Sequence, residues 1–138
     1  MILVVLSGGI GSQLFQYAAG YSLAKEKKCR LLLDYSFFFT KMSYNLFKLD
    51  QVIHISDEIF IKNIWLSRLI RIWFGILSYS TFFKIKYERI DIKNPFEFEI
   101  FPDASNYFIN GYPNNIEYVY KNLDEILGKF KTKKNNEN

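Results

Sequence analysis

The sequence predicts an α/β domain built on a parallel, Rossmann-like sheet, and three observations carry that expectation. Residues 2–6, Ile-Leu-Val-Val-Leu, form a short β-branched-rich apolar run of the kind buried on both faces of a sheet. Ser7-Gly8-Gly9 closes it, a helical pattern follows, and a second apolar run, Arg30-Leu31-Leu32-Leu33-Asp34, comes next. Strand, glycine loop, helix and strand in succession make a βαβ unit, which implies parallel strands joined by a right-handed crossover. Near the C-terminus the arrangement recurs: Tyr107-Phe108-Ile109 reads as a strand ending at Asn110-Gly111, with a helical pattern after it.

The first helix is expected over about residues 12–28. Leu14, Phe15, Ala18, Leu23 and Ala24 recur at helical spacing among Gln13, Gln16, Lys25 and Lys27, and the lysines lie at the end where the helix dipole favours cations. Residues 35–105 are less regular. Residues 35–39 are aromatic-rich, and Tyr44-Asn45-Leu46-Phe47-Lys48-Leu49 reads as a short strand or extended segment. Over residues 65–78, Ser67, Arg68, Arg71, Gly75 and Ser78 fall within about 100° of a helical wheel while apolar side chains fill the rest, so a helix with a wide apolar face is expected there. Packing into the core is the commoner fate of such a face. Pro95 and Pro102 bracket a loop-like stretch.

The last helix is expected from Pro113 or Asn114 to about Phe130. Asn114 suits the N-cap, Glu117 completes a capping box, and Gly128 sits near the end. Ile116, Val119, Tyr120, Leu123, Ile126 and Leu127 supply its apolar stripe.

A chain of 138 residues makes one domain or part of one, with roughly 70% of its unfolded surface buried around a single core. A hydrophobic share of 49%, with 14 Phe and 10 Tyr, is too apolar for intrinsic disorder. The charge of +4 is concentrated at the end: Lys129, Lys131, Lys133 and Lys134 stand against Glu137 alone. Residues 1–130 are therefore expected to form the α/β lobe and residues 131–138 a basic, disordered tail, with no nucleic-acid partner. The single cysteine, Cys29, excludes an internal disulfide and a multi-cysteine metal site, which fits a reducing compartment. Met1 leads directly into the first strand with no basic leader, and Lys62, Arg68 and Arg71 interrupt the apolar window 59–77. A cytoplasmic location is expected, extending to the inner face of the membrane if the 65–78 helix lies on lipid with Arg68 and Arg71 near anionic headgroups.

The informative segment is Ser7-Gly8-Gly9-Ile10-Gly11-Ser12-Gln13-Leu14-Phe15-Gln16-Tyr17. Glycines at a strand-to-helix turn let unshielded backbone N–H groups approach an anion at the positive helix end. They also serve a plain structural purpose wherever positive φ or close packing demands them. The phosphate-loop motif is excluded, since no Gly-Lys-Ser or Gly-Lys-Thr occurs. The dinucleotide fingerprint is matched in part: Gly9 and Gly11 fit and Asp34 lies downstream after a strand, but Leu14 stands where the third glycine belongs. A dinucleotide-binding subunit using Gly9, Gly11 and Asp34 is thus one alternative. A non-catalytic interaction protein, using the 65–78 helix, is another.

Gly8-Gly9-Ile10-Gly11-Ser12-Gln13-Leu14-Phe15-Gln16-Tyr17-Ala18 resembles the opening pattern of the family 11 glycosyltransferases, the α-1,2-fucosyltransferases, at ten of eleven positions. The likeness continues through Leu23-Ala24, the strand ending at Asp34, Tyr44-Asn45-Leu46 and residues 107–112 with the helix after them. The resemblance implies an N-terminal lobe of a GT-B-like glycosyltransferase. It also implies transfer of fucose from GDP-fucose to the 2-hydroxyl of a galactoside acceptor glycan with inversion, and no cofactor or metal. Gly8, Gly9, Gly11, Ser12 and Gln13 would be the substrate-binding residues. Ser12 stands where the family has Asn; it shortens the reach and also suits a helix N-cap. Gln13 would donate its amide to a phosphate or sugar oxygen, or would be an ordinary solvated residue of the first helical turn.

The family's H-x-R-x-G-D segment, whose arginine is expected to hold the donor diphosphate, does not occur here. His54, the one histidine, stands beside Val52, Ile53 and Ile55 and reads as partly buried structure rather than a catalytic base. The expectation is a front half of a fucosyltransferase from a truncated or split gene. Alone it would lack turnover, and a C-terminal half supplied in trans would be its partner.

Overall fold

The computed structural model describes residues 1–40, 46–55, 58–78, 107–110 and 120–131, the backbone alone at 74, 75, 77 and 78. Four strands, β1 (Ile2–Val5), β2 (Leu31–Asp34), β3 (Ile59–Ile61) and β4 (Tyr107–Asn110), form one sheet in the order β3-β2-β1-β4. Every neighbouring pair is parallel, with Val5 opposite Asp34 on one side and Asn110 on the other. The expected α/β, Rossmann-like architecture is therefore present. β1 is central and buried on both faces, as its unbroken apolar run requires.

Alternation along the strands sends residues to two cores. Ile2, Val4, Leu6, Leu31, Leu33, Tyr107 and Ile109 pack with Tyr17, Ala18, Ala19, Leu23 and Ala24 of helix α1 (Ile10–Glu26). Leu3, Val5, Leu32, Ile61 and Phe108 form the smaller cluster on the other face, joined by Ile70 of helix α3 (Ile64–Ser78). Helix α2 (Leu49–Val52) is a single turn, and α4 (Leu123–Gly128) closes the described chain.

α1 begins two residues earlier than its pattern suggests, with Gly9 as N-cap, so Ser12 lies inside the first turn and is not the cap. Its other end is a Schellman arrangement: Cys29 N–H bonds the Ala24 carbonyl at 3.0 Å and Lys28 N–H the Lys25 carbonyl at 3.2 Å. Lys28 occupies the left-handed position at φ 50°, where glycine is the usual residue. Gly20 is where helix meets strand: a Cβ there would lie 2.4 Å from Val4 Cγ2, so only glycine lets α1 sit this close to β1. The fingerprint's missing third glycine at position 14 thus has a counterpart in packing at Gly20.

Several expectations change. β3 is three residues long and carries no periodicity of its own, and it escapes a sequence reading for that reason. Of the 44–49 segment, Leu46 to Lys48 form no strand and Leu49 starts α2; residues 44 and 45 lie outside the described residues. Pro95, Pro102, Asn114 and Glu117 also lie outside them; the single helix expected up to about Phe130 is interrupted by a turn at residues 121–122, after which α4 starts from Asn122 as N-cap and ends at Gly128. Lys131 is held rather than free: its N–H bonds the Val52 carbonyl at 2.8 Å beside the Ile53–Phe130 bridge, while residues 132–138 lie outside the described residues. The largest difference concerns α3, whose apolar arc faces outward.

Candidate functional site

A 3-2-1-4 strand order places a topological switch point beside β1, because the chain runs from β1 to β2 on one side and reaches β4 on the other. In such sheets ligands bind in the crevice beyond the C-terminal strand ends at that point. The turn after β1, Ser7 to Gly11, stands there. Gly8 takes φ 74°, a left-handed conformation that turns the chain and needs glycine. Gly9 has φ −73° and Gly11 is helical; a Cβ at either would meet nothing within 4 Å. The left-handed φ therefore requires glycine at position 8, while among the described residues nothing occupies the space of a side chain at 9 or 11.

The first three helical N–H groups, of Ile10, Gly11 and Ser12, have no acceptor within the helix, and the cap supplies no side-chain partner. The first intrahelical bond is Gln13 N–H to Gly9 O at 3.0 Å. Gly9 and Gly11 are exposed and Ser12 is half-buried, so the turn presents its amides and the positive end of the α1 dipole to solvent.

Gln13 is placed differently from either sequence expectation. It is fully buried; Nε2 donates to the carbonyls of Gly8 and Leu46, both at 3.0 Å, and Oε1 accepts from Lys48 N–H at 3.1 Å. Both amide hydrogens are spent on backbone, so Gln13 positions the turn and ties it to residues 46–48. Gln16, also fully buried, does the same for the strand end: Ser7 N–H donates to Oε1 and Nε2 donates to the Ser7 hydroxyl. Of the five sequence candidates, Gly8, Gly9, Gly11 and Ser12 share the exposed turn, and Gln13 lies beneath it.

Asp34, at the end of β2, is fully buried. Its Oδ1 accepts from Ser36 N–H at 3.0 Å, and its Oδ2 accepts from the Ser67 hydroxyl at 2.5 Å and from Arg71 at 2.7 Å. The carboxylate is committed to holding α3 on the sheet, which leaves it badly placed to take a ribose hydroxyl. Arg71 reaches from α3 across that face, its guanidinium 5.9 Å from the Phe108 ring centre on β4. Strand register sets its two partners on either side of β1, Asp34 opposite Val5 and Phe108 opposite Leu3, and its buried Nε has no hydrogen-bond partner among the described residues. The sequence placed Arg71 only in the polar stripe of the 65–78 helix, with anionic headgroups as its expected partner; in the fold its partner is Asp34. The signal for it lies in contacts some 37 residues apart in sequence.

A second polar cluster lies on the α1 side. Tyr17 donates to Glu58 at 2.6 Å, and Lys129 Nζ approaches Tyr17 Oη at 3.1 Å and Glu58 at 3.2 Å. Burial pushes the Glu58 carboxyl up, but the hydrogen bonds from Tyr17 and Lys129 and the lysine charge together outweigh it and hold its pKa below the ordinary value. Tyr17 moves the other way: burial first, then the Glu58 carboxylate, disfavour its phenolate. His54 is exposed, and its N–H bonds the Lys129 carbonyl at 2.7 Å. The expected partial burial of its side chain is not found, because α2 ends at Val52 and the chain turns His54 outward.

Two cavities lined by described residues lie away from the turn. One, of about 350 Å³, is lined by Tyr21, Lys25, Lys28, Cys29, Arg30 and Glu58 around the start of β2. The other, of about 190 Å³, is an apolar groove between α1 and α4. Among the described residues no three His, Cys, Asp or Glu side chains gather as metal ligands, and no helix is long and apolar enough to cross a membrane. Comparison with known proteins finds no family model, no curated protein and no solved structure that matches this chain.

Proposed function

We propose that this chain is the glycine-turn lobe of an α-1,2-fucosyltransferase-type enzyme, holding the diphosphate of GDP-fucose against the start of α1 while fucose passes to the 2-hydroxyl of a galactoside. One observation supports the reading: Gly9 and Gly11 are exposed glycines where neither φ nor a described neighbour requires them, at the start of a helix whose cap supplies no side-chain acceptor. The motif spanning residues 8–18 then supplies the reaction class by resemblance.

In the transfer, the bond from the fucose anomeric carbon to the diphosphate oxygen breaks and a bond to the acceptor 2-oxygen forms on the opposite face. The acceptor proton passes to a base, and negative charge grows on the departing diphosphate. Donors fixed in advance and aimed at that charge lower the barrier. The Ile10, Gly11 and Ser12 amides and the helix dipole are such donors, held in place by Gln13 and Gln16 beneath them. Arg71, on the other face of the sheet, is ion-paired with Asp34 at 2.7 Å and serves there to hold α3. The base and the second wall of a water-excluding cleft belong, in this reading, to a complementary lobe carrying the H-x-R-x-G-D segment.

Calorimetric titration tests the reading. GDP and GDP-fucose are expected to bind and NAD to give no heat, and Gly11→Val should abolish the nucleotide response with the melting temperature nearly unchanged, because its side chain enters open space. Binding of NAD without response to GDP would transfer the turn to the dinucleotide reading. Addition of a protein carrying the complementary lobe is expected to restore transfer to a galactoside, and a folded pair with no product counts against the reaction assigned here.

A further inference from the structure

α3 is mounted inside out. Its polar stripe faces the domain: Ser67 is 2% exposed and bonds Asp34, and Arg71 pairs with the same carboxylate. Trp65, Leu66, Leu69, Ile72, Trp73 and Ile76 face away from it, each about half to two-thirds exposed. At 100° per residue these six fall within an arc of about 120°, the width of the apolar face by which a helix normally packs. The helix is also well begun, with Asn63 Oδ1 accepting from the N–H groups of Trp65 at 2.8 Å and Leu66 at 3.2 Å. A continuous apolar surface on a capped helix marks an interaction site.

Charge identifies what it meets. Residues 59–78 contain Lys62, Arg68 and Arg71 and no acidic residue. Arg71 is matched by Asp34, which leaves Arg68, exposed at the border of the arc, and Lys62, exposed two residues before the helix. Arg68 lies 5.2 Å from the Trp65 ring centre, and Lys62 lies 4.8 Å from the ring of Phe39, itself 58% exposed on the 3-10 turn Ser36–Phe39. Cations standing beside exposed aromatic rings suit the headgroup level of a bilayer, where phosphate meets the cation and the ring enters the acyl boundary. Two copies of α3 face to face would instead bring these cations together without a carboxylate from either helix.

We propose that α3 is an interfacial helix that seats this lobe on an anionic lipid surface. Lying flat, its 15 residues extend about 22 Å along the bilayer plane. The inference stands apart from the reaction assigned to the glycine turn, and nucleotide titration neither supports nor weakens it.

The chain's two tryptophans, Trp65 and Trp73, both lie in the arc, so intrinsic fluorescence reads this face without a label. The full chain is mixed with vesicles of phosphatidylcholine alone or with about 30% phosphatidylglycerol, at low and high salt. Expected are sedimentation with the anionic vesicles, a blue-shifted tryptophan emission, and loss of both at high salt. Arg68→Gln should weaken partitioning about fivefold, the share of one juxtamembrane cation. Leu69→Glu should weaken it further with an unchanged melt, and if that variant fails to fold, Arg68→Gln still decides.

Failure of the folded chain to sediment overturns the proposal. So does sedimentation without a blue shift, or equal partitioning onto neutral vesicles. A blue shift without vesicles that grows with protein concentration, accompanied by a dimer in light scattering, assigns the face to a second copy and overturns it as well.

Discussion

Gln16 and Ser7 exchange two hydrogen bonds, Ser7 N–H to Oε1 at 2.9 Å and Nε2 to the Ser7 hydroxyl at 3.1 Å. One turn earlier Gln13 repeats the device on Gly8, Leu46 and Lys48. Two buried amides therefore fix the glycine turn from below. Gln13→Ala would leave one buried donor and two acceptors without their partner. It is expected to destabilise the fold by about 1–3 kcal/mol in urea unfolding and to weaken GDP binding in parallel. A variant with wild-type stability and weakened binding would instead make Gln13 a direct ligand contact.

The glycines separate by role, and two substitutions read the difference. Gly20→Ala drives a Cβ into Val4 and should cost about 1–3 kcal/mol through overpacking. Gly11→Ala meets open space in a helix and should stabilise by about 0.5–1 kcal/mol by removing backbone freedom from the unfolded chain. Thermal melts of the two variants are thus expected to move in opposite directions.

What was legible in the sequence is local. β1, the glycine turn, α1 and β2 follow one another within a few dozen residues, and each carries its own pattern, so the βαβ unit and its parallel sense can be read directly. The role of Gln13 could not be read, because two of its three partners, Leu46 and Lys48, stand 33 and 35 residues away. The direction of α3 was hidden for the same reason. A helical wheel gives the width of an apolar arc, but which way it faces depends on Ser67 and Arg71 finding Asp34 across the fold. The N-cap at Asn63 was legible in principle, since Asn immediately before a long apolar helix is a start signal.

Asp34 is the joint between sheet and α3, and its removal tests how much of α3's placement depends on it. Asp34→Ala would strand the Ser67 hydroxyl and the Arg71 guanidinium at a buried position, and a cost of about 2–4 kcal/mol is expected, below a fully buried pair because Arg71 remains one-third exposed. Ser67→Ala removes one bond and should cost about 1 kcal/mol. Hydrogen exchange should show α3 amides losing protection in Asp34→Ala before those of β1.

Lys28 is a lysine where the Schellman turn wants glycine. Lys28→Gly relieves the left-handed strain at no packing cost, because the side chain is exposed, and should stabilise by about 1 kcal/mol. A rise in the urea midpoint with an unchanged slope is the expected signature.

The Tyr17, Glu58 and Lys129 cluster makes stability depend on pH at both ends of the scale. Glu58 has a folded pKa below its ordinary 4.5, so the unfolded chain takes up its proton first as the solution is acidified. Its contribution is complete above that ordinary value and disappears as pH falls through the folded one. Tyr17 has a raised pKa, so its contribution is complete below the ordinary 10.0 and declines as pH rises past it, when the unfolded phenol ionises and the folded one does not. Urea unfolding of wild type and Glu58→Gln should therefore differ most near neutrality and converge as pH falls below about 4.5. Tyr17→Phe should flatten the alkaline limb. A wild-type to Glu58→Gln difference that stays constant from neutral to strongly acidic pH would mean that the cluster holds by packing and neutral hydrogen bonds, and that the carboxylate charge contributes nothing to joining α1, β3 and the segment after α4.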